Sequence, residues 1–139
     1  MSRSTQQIKA DFFAVLKSDR AGATVRAALG DGATSVIPKE DLDRPLPATP
    51  FLVFQWIGQP SGGARNRGVN TFYPIWWLYD DIAHRYYRLE ALIPLIETAY
   101  PEDAITGCYT DFLPVRELPD RGLLNMPAKS MAFLIKTRG

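Results

Sequence analysis

Apolar residues recur at helical spacing in some stretches of the chain and crowd together without alternation in others, and the two patterns predict different elements. Ile8, Phe12, Val15 and Leu16 fall on one helical face. Ser4, with Gln7 three residues on, has the form of a capping box, so a first helix is expected from about Thr5 to Ser18. A shorter helical stretch, Ala23 to Leu29, stops at Gly30 and Gly32. Ile82, Tyr86, Leu89, Ile93 and Ile96 keep the same period. This helix is expected to start at a cap supplied by Asp80 or Asp81, because acidic side chains suit the positive end of the helix dipole. Pro94 lies inside it, removes a backbone donor and is expected to kink it.

Val36 and Ile37 predict a short strand that stops at Pro38. Residues 39–50 hold three prolines and several charges, the composition of a stiff surface connection. FLVFQWI (51–57) and TFYPIWWLY (71–79) read as strands of an antiparallel hairpin, with a long Gly-, Ser-, Asn- and Arg-rich tip from Gly58 to Asn70. Ile105 to Val115 predicts another strand, 116–127 a polar loop, and Lys129 to Thr137 a final strand. The expected fold is a single α+β domain over 1–139: a mostly antiparallel sheet of about four strands with two main helices packed on one face.

A sheet covered on one face should alternate apolar and polar residues, and these strands do not. Phe51, Val53 and Ile57 oppose Leu52, Phe54 and Trp56. Tyr73, Ile75, Trp77 and Tyr79 oppose Phe72, Trp76 and Leu78. Met131, Phe133 and Ile135 oppose Ala132 and Leu134. Two helices cover about one face, so the other needs a separate cover, either loops folded back over it or a neighbouring subunit. Each large aromatic buries roughly 150–250 Å², which makes Trp56, Trp76, Trp77 and Phe133 candidate interface residues.

Composition narrows the function classes. The 139 residues suit one domain, with 46% hydrophobic and 22% charged residues and a net charge of +1. A chain that lives by gripping phosphates is usually more basic. One cysteine, Cys108, cannot form an internal disulfide. The N-terminal residues lack the apolar run of a secretory signal, and no stretch approaches the roughly 20 apolar residues of a membrane span. His84 could serve as a general base, but it has no cysteine near it in sequence and no serine in a nucleophile-elbow context, and it reads more simply as a solvated helix residue. Cys108 reads as a small core residue. The pairs Asp80/Asp81 and Glu102/Asp103, and Glu40/Asp41 with Asp43, match no calcium-loop spacing. The loop GQPSGGARNRG lacks the Gly-Lys-Ser/Thr ending of a phosphate-binding loop. Its Arg65 and Arg67 are placed to touch nucleic acid or an acidic partner surface, or simply to solvate a hairpin tip. No catalytic, cofactor-binding or metal-binding set is therefore expected.

The order of elements, together with Pro50-Phe51-Leu52-Val53-Phe54-Gln55 within the segment Pro47–Gln55, resembles the tail terminator (tail completion) proteins of long-tailed bacteriophages. The resemblance implies a virion structural protein without catalysis or cofactor. It implies six copies in a ring that caps the tail tube, joins the tail to the head and passes DNA through its lumen. The implied partners are other copies, the tail tube protein and the head–tail connector proteins; the implied place is the head-proximal end of the tail, assembled in the host cytoplasm, with no membrane. Two rivals are a connector or neck protein of the same particle and a small nucleic-acid-binding α+β module. The latter would use exposed aromatics as stacking platforms, with Arg65, Arg67, Arg85 and Arg88 on phosphates. A small enzyme with a scattered site ranks last.

Overall fold

A computed structural model describes residues 4–57, 71–84, 86–113, 116–121, 124 and 126–137. The first helix, α1, spans Thr5–Lys17 and starts at the expected capping box: the Gln7 amide donates to Ser4 Oγ at 3.2 Å, and the Ser4 amide to Gln7 Oε1 at 3.1 Å. Its far end is closed by Arg26, from α2 (Ala23–Ala27), which donates to the carbonyls of Leu16 and Ser18 at 2.9 and 2.6 Å. A cation satisfying the last carbonyls of a helix favours that terminus twice, by hydrogen bonding and by the dipole.

Strand β1 (Val36–Pro38) runs parallel to β2 (Phe51–Ile57). β2 and β3 (Thr71–Tyr79) form the expected antiparallel hairpin, with Phe51 opposite Tyr79 and Ile57 opposite Tyr73. The last helix, α3, spans Tyr87–Ala99 and continues through Pro94. Strands β4 (Cys108–Phe112), β5 (Arg116–Arg121) and β6 (Met126–Thr137) complete the sheet. Its order is β1-β2-β3-β6-β4, with β5 also on β6. β6 meets β3 along one edge and both β5 and β4 along the other.

The α+β class and the antiparallel bias hold, while the strand count rises to six. Two elements account for the difference. β1, the short strand expected at Val36 and Ile37, joins the sheet as a parallel edge. β5 lies in a segment expected to be a polar loop, because RELPDR is charged and holds a proline; edge strands tolerate both. The helix expected to start at Asp80 or Asp81 starts at Tyr87, with Tyr86 as its unassisted cap. The strand expected from Ile105 is shortened to Cys108 because Gly107 turns the chain at φ 78°, a conformation that only glycine adopts freely.

The core lies between the helices and one sheet face. Phe12 stacks on Tyr100 with ring centres 4.4 Å apart and meets the edge of Phe133 at 5.1 Å. The Tyr100 hydroxyl donates to the Phe12 carbonyl at 2.7 Å and accepts from Trp76 Nε1 at 3.0 Å. One phenol thus ties α3's end to α1 and β3, and its burial raises its pKa well above 10. At Gly30 a Cβ would stand 2.2 Å from the Ala48 carbonyl oxygen. The close approach of the proline-rich connection therefore requires glycine there.

Candidate interaction surfaces

The two sheet faces differ. Leu52, Phe54, Phe72, Trp76, Leu78 and Phe133 point to the helices and join the main core. On the other face a smaller cluster forms around Phe51, Val53, Tyr79 and Ala128, roofed by Leu42, Leu124 and Met126. Folded-back chain therefore covers one end of this face. The other end keeps an apolar strip: Tyr73 is 39% exposed, and Ile75, Trp77, Ala132 and Leu134 are half-buried. Trp77 is steadied by a 2.8 Å hydrogen bond from Nε1 to Gln55 Oε1.

This geometry sorts the expected interface residues. Trp76 and Phe133 are fully buried against the helices, so neither side chain is available to a partner; alternation along the strand put them on the covered face. Trp77 stands on the open face. Trp56 is half-buried on the helix side, packed against Phe72 at 5.2 Å between ring centres. Arg65, Arg67 and Arg85 lie outside the described residues. Arg88 is committed elsewhere: Nε donates to Asp80 Oδ2 at 2.8 Å and Nη2 pairs with Asp80 Oδ1. A guanidinium held in this way is not free to grip a phosphate.

Asp80, Asp81 and His84 bring three ligand atoms within 4.8 Å of one another. This is a set that could hold a cation, but Arg88 already neutralises Asp80, whose side chain is fully buried. His84 Nδ1 lies 2.7 Å from Asp81 Oδ1, and the His84 amide donates to the same oxygen at 3.0 Å. The ring hydrogen bond, helped by Thr49 and the backbone amide and opposed by desolvation, lowers the Asp81 carboxyl to about 2. The group is built as a clamp: Thr49 donates to Asp81 Oδ2 at 3.0 Å, so the proline-rich connection, the end of β3 and the start of α3 are tied at one point. Cys108 is buried on β4.

Sequence reasoning did not anticipate a groove of about 930 Å³ between α1 and the β1–β2 edge. Lys9, Ala10 and Phe13 form the α1 wall, Phe54 and Trp56 the floor, and Glu40 and Asp41 part of the opposite wall. Lys17 closes one end, donating to the Ala33 carbonyl at 2.7 Å over the Phe13 ring. Burial, with Arg26 nearby, lowers its pKa. Such a groove depends on the short reach of β1, which periodicity does not report.

No family model, curated protein or solved structure matches the chain. Among the described residues no helix is long and apolar enough to cross a membrane.

Proposed function

We propose that this chain is a non-catalytic structural subunit that works by assembling with copies of itself. Within that class we propose a tail terminator of a long-tailed bacteriophage, ringing the head-proximal end of the tail tube. The observation that carries the reading is the strip Tyr73–Ile75–Trp77 with Ala132 and Leu134 on the sheet face away from the helices. A neighbour on that face would bury apolar area that, among the described residues, folded-back chain covers only at one end. The specific phage assignment rests on the likeness of element order and of the Pro47–Gln55 segment. Sedimentation velocity over a concentration series tests the class, with closed oligomers expected; electron microscopy of the purified particles tests the ring. A strict monomer at the highest reachable concentration would sink the self-assembly reading.

A further inference from the structure

We propose that Lys17 is the reactive amine of this chain, a modification site placed to take an acyl group from a thioester. This goes beyond the assembly reading and stands without it. Lys17 is the last residue of α1 and closes one end of the groove. Its Nζ donates to the Ala33 carbonyl at 2.7 Å and lies 5.7 Å from the Phe13 ring centre. Arg26 stands beside it from α2, with Nη1 bonded to the carbonyls of Leu16 and Ser18, the residues on either side of Lys17. Lys9 lines the same helix wall, and Glu40 and Asp41 belong to the wall across the groove. Among the described residues no carboxylate pairs with Lys17.

An amine in this setting gives up its proton more readily than an ordinary lysine. A neighbouring like charge and partial loss of water both oppose the ammonium. The Phe13 face and the Ala33 carbonyl favour the cation in part, but neither carries a full opposing charge. Burial first, and Arg26 second, lower the Lys17 pKa accordingly. More of it is therefore free amine at neutral pH, and the bond to Ala33 holds Nζ in place while its lone pair stays open to attack. The other four lysines differ. Lys129 is buried and lies 3.5 Å from Glu90 Oε1. Lys39 and Lys136 are exposed, and Lys9 is half-buried two turns earlier on α1.

In the step itself the neutral amine adds to the thioester carbonyl carbon. The C–S bond breaks, the sulfur leaves as thiolate, and the nitrogen loses its extra proton to solvent. The product is an uncharged amide whose acyl chain is brought beside Phe13, so the charge that closes the groove is replaced by apolar surface. Acetyl-coenzyme A incubated with the folded protein tests this, with acetylation followed at each lysine by peptide mass spectrometry. At neutral pH, Lys17 should acetylate roughly threefold faster than Lys39 and Lys136. Its rate should also reach its plateau at a lower pH than theirs. Rates at Lys17 no higher than at Lys39 and Lys136, or Lys9 reacting first, would overturn the proposal. So would a Lys17 rate profile with a midpoint no lower in pH than that of Lys39.

Discussion

The helix-covered face and the open face of the same sheet carry equally apolar strands, yet only one became a sealed core. On the covered side Phe12, Trp76, Tyr100 and Phe133 interlock around one hydroxyl that both gives and receives a hydrogen bond. On the open side the cluster around Phe51 and Tyr79 is roofed, and the strip beginning at Trp77 is half-exposed. Apolar content alone does not make a core; it makes one where a second layer arrives with matching shape and with partners for its polar atoms.

Five measurements can break or sharpen that contrast. Trp76→Ala is expected to cost about 3–5 kcal/mol in urea unfolding, and Trp77→Ala, one residue away on the other face, about 1 kcal/mol. Equal costs would erase the distinction between the faces. Asp80→Asn, at the clamp where β3 meets α3, should cost about 2 kcal/mol, because a partly exposed Arg88 loses its buried counter-charge. Tyr100→Phe removes the shared hydroxyl and should cost about 1–2 kcal/mol by the same assay; no change would mean that ring packing alone seals the covered face. The Asp81 carboxyl titrates lower in the fold than its ordinary 3.8, at about 2. Its contribution is present above pH ~3.8 and lost as pH falls through about 2. Thermal melts of wild type and Asp81→Asn should therefore differ at pH 5 and converge near pH 2. Last, Tyr73→Ser should leave stability within about 0.5 kcal/mol while weakening association in sedimentation; an unchanged oligomer would take the open strip out of the interface.

Much of the frame was legible in the sequence. The capping box at Ser4 and Gln7, the hairpin from Phe51 to Tyr79 and the two-faced strands all appear as read, because local hydrogen bonding and side-chain period decide them. Residues whose roles depend on distant partners were not legible. Asp80 looked like a helix cap, and Arg88, eight residues on, pulled it into a buried pair instead. Trp76 and Trp77 look alike in the sequence; the side on which α1 and α3 pack separates them. β5 was hidden because an edge position tolerates charges and proline that a central strand would reject. The groove left no signal, since it is a gap left by a short strand.

β6 bonds to three other strands and supplies Phe133 to the aromatic centre, and it follows all three in chain order. Until it emerges, β3 has an unpaired edge and Phe12 lacks one of its ring neighbours. The nascent chain therefore carries exposed apolar surface until β6 has emerged, and non-local pairings of this kind form slowly. Chaperone demand is thus expected to concentrate in the interval before β6 pairs. Shortening the chain before Met126 should yield aggregates in place of a smaller folded product.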